Sequence, residues 1–228
     1  MKAYVVLHGQ TEKDTEGCLY GNIDAALTNT GREQAQEAGE CLQSMGIDMI
    51  LASPQTHTME TAEIIAGAMG FDKAKITKGV KFFERDLGDL EGKSIEEVDS
   101  FALSSLFHNM ETPNGETVKQ TANRVIPYAN NMLKIFRTKT MLMVVPEHVF
   151  KILNWVFEGF PETGKERVID TGNCMICEFE TDDIPQDIKE FQPFAEKSES
   201  DGDSGSPDRL LSQSEIDDLI AQLSGGTL

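Results

Sequence analysis

Two rhythms of apolar positions alternate along the first 180 residues. Val5-Val6-Leu7 is a short apolar run that ends in a polar turn, and Asp48-Met49-Ile50-Leu51-Ala52 and Met141 to Val145 repeat that form. Runs this short, bounded by polar or turn residues, predict buried strands. Between them the period lengthens to that of a helix. Thr30-Gly31-Arg32-Glu33 reads as a capping box opening a helix with Ala35, Ala38, Leu42 and Met45 on one face, and Gly46 stops it. Ser53 and Pro54 start a second helix carrying Ile64, Ile65, Ala68 and Met69, closed by Gly70. Longer periodic segments run from Thr117 to Arg137, where Pro127 predicts a kink, and from Val149 to Phe157. Val168-Ile169 and Cys174 to Phe179 read as closing strands. This alternation predicts an α/β three-layer sandwich, a mostly parallel sheet with helices on both faces.

After Phe194 the pattern breaks, so residues 1–194 are expected to form the domain. Residues 195–208 are Ser, Gly, Asp and Glu with one Pro, the composition of a flexible acidic linker. Residues 209–228 regain periodicity: Ser212-Gln213-Ser214-Glu215 is a capping box, and Ile216, Leu219, Ile220 and Leu223 form one apolar stripe. A helix this short is marginal in isolation and needs a surface to pack against.

Composition narrows the classes. At 39% hydrophobic residues in 228, the chain can bury a real core. No apolar run approaches the roughly twenty residues of a membrane-spanning helix. Met1-Lys2-Ala3-Tyr4-Val5 leads straight into a strand with no secretory h-region, and Cys18, Cys41, Cys174 and Cys177 lack a disulfide or zinc spacing, so a cytoplasmic setting is expected. The formal charge is −19, and residues 181–228 hold twelve acids against three bases. So acidic a surface repels nucleic acid and anionic membrane, which are excluded as partners.

Candidate chemistry lies at the strand ends. Val5-Val6-Leu7-His8-Gly9-Gln10-Thr11 resembles the signature of the histidine phosphatase superfamily, the phosphoglycerate-mutase-like fold. There the strand ends in Arg-His-Gly-Glu/Gln-Thr, and the His accepts the phosphoryl group. Further blocks resemble the family in order: Gly21-Asn22-Ile23-Asp24 with Leu27 to Gly31, Ser53-Pro54 with Thr61 to Ile65, Phe83-Glu84-Arg85 to Gly92, Pro113 to Thr117 with Arg124, and Asn173. The resemblance covers roughly residues 1–180. It implies a phosphohistidine mechanism without metal or cofactor, in which two Arg and a second His surround the phosphate and an acidic residue protonates the leaving group.

Carried over by position, His8 is the nucleophile and Glu84 the proton donor, with Gly9 permitting close approach and Gln10 and Thr11 completing the loop. The departures are large. Leu7 replaces the first Arg, His57 the second, and Asp14 an Asn. Pro146-Glu147-His148 replaces Ser-His-Gly, which leaves open whether Glu147 or His148 faces the pocket. Each transition-state donor is worth on the order of 2.7–4 kcal/mol, so losing three costs roughly 10⁴- to 10⁷-fold in rate. New carboxylates at Asp14 and Glu147 also repel phosphate. Against this, Arg85, Lys13 and Lys151 lie where they would rebuild a cationic site. The reading this favours is a pseudophosphatase or regulatory binding module. The alternative is a phosphomonoesterase acting through His8 and Glu84 on a phosphorylated small molecule or phosphoprotein, and a third reading is a module for another ligand.

Leu211-Ser212-Gln213-Ser214-Glu215-Ile216-Asp217-Asp218-Leu219-Ile220 is similar to the N-terminal segment of the flagellar motor switch protein. That resemblance implies docking of residues 209–223, through Leu211, Ile216, Leu219, Ile220 and Leu223, to a response-regulator receiver domain or a motility protein in chemotaxis signalling.

Overall fold

The computed structural model describes residues 1–98, 103, 112–158 and 172–180. Their elements run β1 (Lys2–Leu7), α1 (Glu12–Glu16), α2 (Asn29–Leu42), β2 (Met49–Ala52), α3 (Thr56–Met69), β3 (Thr77–Lys78), α4 (Val118–Ile135), β4 (Met141–Val145), α5 (Glu147–Glu158) and β5 (Ile176–Glu180). The sheet order is β3-β2-β4-β1-β5. β1 pairs parallel with β4, β4 with β2 and β2 with β3, while β5 pairs antiparallel with β1.

The central strands are apolar along their length because both faces are covered. Ala3, Val5, Leu7, Met141, Met143 and Val145 point to one side, against Val125, Met132, Phe150 and Leu153 of α4 and α5. Tyr4, Val6, Ile50, Leu142 and Val144 point to the other, against Ala35, Leu42, Ala62 and Ile65 of α2 and α3. Each fully buried aliphatic or aromatic side chain contributes roughly 1.5–3 kcal/mol. The result is the three-layer arrangement that the alternation predicts.

α2 starts at Asn29, not in a box at Thr30: the Thr28 hydroxyl accepts from Gly31 N at 3.0 Å and Thr28 N donates to Gln10 O at 2.9 Å. α4 continues through Pro127 as one helix. The short elements α1 and β3 carry too few residues for a periodic signal. Val168-Ile169, the boundary at 194, the linker and the terminal segment lie outside the described residues. Among the described residues no helix is long and apolar enough to cross a membrane.

Parallel pairing places the C-terminal ends of β1, β4 and β2 along one edge of the sheet, where α/β folds bind ligands. His8, the turn at Pro146–His148 and the Ser53–His57 turn follow directly from those ends.

Candidate active site

His8 is fixed at the end of β1. Its N–H donates to Val145 O at 3.1 Å, and its carbonyl accepts from Cys174 N at 3.2 Å and from the Asn173 side chain at 3.5 Å. The ring is 2% exposed, with Nδ1 lying 2.8 Å from Gly9 O. A carbonyl only accepts, so in this contact Nδ1 donates, and in the neutral ring that leaves the lone pair on Nε2.

The loop after His8 is spent on structure. Gly9 N donates to the Thr61 hydroxyl at 3.1 Å. A Cβ on Gly9 would sit 2.4 Å from Gly31 O, and one on Gly31 would sit 2.1 Å from Gln10 O. Gly9 therefore lets two main chains come together. The Gln10 side chain accepts from the Thr28 hydroxyl at 2.9 Å. Thr11 caps α1 in a reciprocal box with Asp14, whose Oδ2 accepts from Thr11 N at 2.7 Å while Oδ1 accepts from Tyr20 OH at 2.7 Å. Burial, then the Asp14 carboxylate, pushes the Tyr20 phenol far above its ordinary range.

His57 is the second residue of α3 and wholly buried. Its ring meets that of His8 edge-on, centroids 4.6 Å apart at 70°, and Tyr20 stands 6.3 Å away on another side. Neither ring nitrogen has a hydrogen-bond partner among the described residues. Asp24 Oδ1 is 3.8 Å from Nδ1, but that carboxylate accepts from Thr56 N at 3.1 Å and from the Thr56 hydroxyl. Burial and then the neighbouring His8 bring the His57 pKa down to about 4, so the ring is neutral at pH 7.

Glu84 is 6% exposed and faces the start of α5. Its carboxylate accepts from Arg85 N at 2.6 Å and from His148 N at 3.2 Å, with His148 Nδ1 another 3.2 Å contact. The ring is close but misaligned for a hydrogen bond: both His148 nitrogens lack one. Burial raises the Glu84 pKa, but His148 and the two backbone donors outweigh it and hold the carboxyl below its usual range. An ionised carboxylate has no proton to donate to a leaving group.

His148, not Glu147, is therefore the side chain beside Glu84. Glu147 pairs with Lys151 at 2.7 Å along α5. Arg85 is fully buried, with Nε donating to Glu116 O at 2.6 Å and Nη1 to Leu103 O. Lys13 pairs with Glu16 at 2.6 Å. The structure thus brings His8, His57, Glu84 and His148 to one edge, spends Gly9, Gln10, Thr11 and Asp14 on the loop, and directs Arg85 and Glu147 elsewhere.

Gln55 was not marked by the sequence. Its Oε1 accepts from Glu84 N at 2.8 Å and the Ser53 hydroxyl at 3.4 Å, and its amide donates to Gly21 O at 3.4 Å. It joins the loops that present His57 and Glu84. Its only sequence signal was a polar residue between a strand end and a helix. Among the described residues no group of three or more His, Cys, Asp or Glu is arranged to hold a metal ion. Cys174 and Cys177 are free thiols, and burial pushes Cys174 up to about 12.

The fold is that of a phosphoglycerate-mutase-like domain. A family model described as histidine phosphatase superfamily (branch 1) matches residues 3–192, and the chain belongs to that superfamily. It is 31% identical over 182 residues to the probable phosphoglycerate mutase GpmB of Salmonella typhi, covering 77% of this chain and 83% of that one. Among solved structures it resembles Bacillus stearothermophilus YhfR, with TM-score 0.68 and 23% identity over 80% of this chain and 92% of that one. A mycobacterial glucosyl-3-phosphoglycerate phosphatase gives TM-score 0.67 and 19% identity, over 78% and 88%. These two likenesses speak for the fold.

Proposed function

We propose that this chain is a pseudophosphatase: it keeps the fold of a phosphoryl-transfer enzyme and serves as a regulatory binding module in bacterial signalling. The observation that carries this reading is His57, a buried neutral imidazole set edge-on against His8 where the resemblance calls for a guanidinium. Phosphoryl transfer accumulates negative charge on the transferring group and depends on fixed cations around it. Among the described residues the Arg side chains near this edge are committed, Arg32 to Glu60, Arg124 to Glu116 and Arg85 to carbonyls. The carboxylates of Glu84, Asp24 and Asp14 lie near enough to act on His57 instead.

Calorimetry with inorganic phosphate tests the electrostatic core of this reading. No binding at millimolar phosphate is expected, whereas micromolar binding that disappears in His8→Ala would overturn it.

One observation favours a second reading, a phosphomonoesterase: the Nδ1 contact with Gly9 O leaves His8 Nε2 with the lone pair a nucleophile needs. On that reading His8 attacks phosphorus and Glu84 takes up a proton before donating it to the leaving group.

The regulatory half of the proposal rests on the sequence of residues 209–223, whose apolar stripe and acidic flanks suit a helix docking into a receiver-domain groove. Deleting those residues is expected to abolish capture of a phosphorylated receiver domain. Capture unchanged by the deletion would remove this part.

A further inference from the structure

A second cavity lies on the outer side of the Glu84 segment. It measures about 440 Å³, the size of small-ligand pockets, and Asn22, Val80, Lys81, Phe83 and Arg124 contribute to its wall. An Arg and a Lys in one cavity suggest a displaced phosphate site, but the hydrogen bonds of Arg124 leave its guanidinium no donor for one.

The guanidinium has five N–H donors. Nε donates to Glu116 Oε1 at 2.8 Å, Nη1 to Lys81 O at 2.7 Å and Phe83 O at 2.9 Å, and Nη2 to Glu84 O at 2.9 Å and Glu116 Oε2 at 2.7 Å. Every donor in the guanidinium plane is used, yet the side chain is 21% exposed. What it offers the cavity is its flat face and its aliphatic stem. An oxyanion needs in-plane donors and finds none free on Arg124, whereas an aromatic ring needs only the face.

The surroundings agree. Phe83 and Val80 are 43% and 54% exposed, large apolar groups left open on the cavity wall. The lining carries two cations, Lys81 and Arg124, against three carboxylates, Glu84, Asp86 and Glu116. Of these, Glu116 is paired with Arg124, Glu84 faces α5, and Asp86 accepts from Gly88 N at 2.8 Å. So nearly balanced a wall favours an uncharged guest over an anion.

We propose that this cavity binds a neutral planar aromatic group, stacked on the Arg124 guanidinium and flanked by Phe83 and Val80. The proposal stands apart from the state of the His8 pocket and holds whether or not that pocket is active.

Indole is the probe and cyclohexanol, similar in size but not planar, the control. Saturation-transfer NMR on the full chain should show indole binding and little from cyclohexanol. The Arg124 Nε–H resonance, sheltered by Glu116, should shift under the ring current. Phe83→Ala and Val80→Asp alter exposed positions and should weaken indole binding on the order of five-fold each, the scale of one lost aromatic or apolar contact. Competition by N-acetyl-tryptophanamide would support an aromatic side chain of a protein as the guest. Indole binding without that competition would support a small molecule. Equal binding of indole and cyclohexanol, an unmoved Arg124 resonance, or affinity unchanged in both variants would overturn the proposal.

Discussion

The rings of His8 and His57 meet edge-on with centroids 4.6 Å apart, both buried, and His57 makes no hydrogen bond among the described residues. Burial and then the neighbouring His8 disfavour charge on the His57 ring. A site built on that pair has exchanged a permanent cation for a neutral group.

This exchange has a signature in acid. His57 has a folded pKa of about 4 against an ordinary 6.5. Between those values the unfolded chain takes up a proton that the folded chain refuses, so stability falls as pH falls through that window and is unaffected above it. The full effect is at most about 3 kcal/mol. We expect His57→Leu to flatten the pH 4 to 6.5 slope in urea denaturation. At pH 7 it should leave stability unchanged or slightly higher, because it removes buried polar atoms that have no partners. A loss of several kcal/mol at pH 7 would mean that His57 has a partner.

Glu84 titrates with the same sign as His57, in a window at lower pH. Its depressed carboxyl stabilises the fold above the ordinary carboxylate range, and that contribution is lost as pH falls below about 4.5. Glu84→Gln removes the charge from the start of α5 and weakens the bonds from Arg85 N and His148 N. The expected cost at pH 7 is roughly 1.5–3 kcal/mol, read from the denaturant midpoint. An unshifted midpoint would show that the carboxylate contributes nothing to that helix end.

Gly9 and Gly31 form the closest main-chain approach in the site loop. Gly9→Ala or Gly31→Ala forces backbone apart where no flexible side chain can give way. Each should destabilise by roughly 1–3 kcal/mol or more and disturb the His8 ring, visible as a shift of its imidazole NMR resonances. An alanine tolerated at both positions would contradict this role.

The layers of the fold were legible because their strands are uninterrupted apolar runs and their helices keep one stripe: Met141 to Val145 and the α3 face with Ile65 are direct readings. Short elements were not, since Thr77–Lys78 carries no period. Site residues were legible as positions, not as orientations. Sequence placed Arg85 next to Glu84 but could not tell that its guanidinium turns back to Glu116 O and Leu103 O. The ambiguity between Glu147 and His148 was resolved by helical geometry: the first turn of α5 sets one toward Lys151 and the other against Glu84. Gln55 went unmarked because its role lies in two bonds to residues distant in sequence, Gly21 and Glu84.

The most direct test of the central claim is hydrolysis of a broad panel of phosphomonoesters by the purified full chain, beside His8→Ala. The account predicts equal, background rates for the two proteins. Turnover by the native chain that vanishes in His8→Ala would show that a phosphohistidine still forms, and would contradict the pseudophosphatase reading.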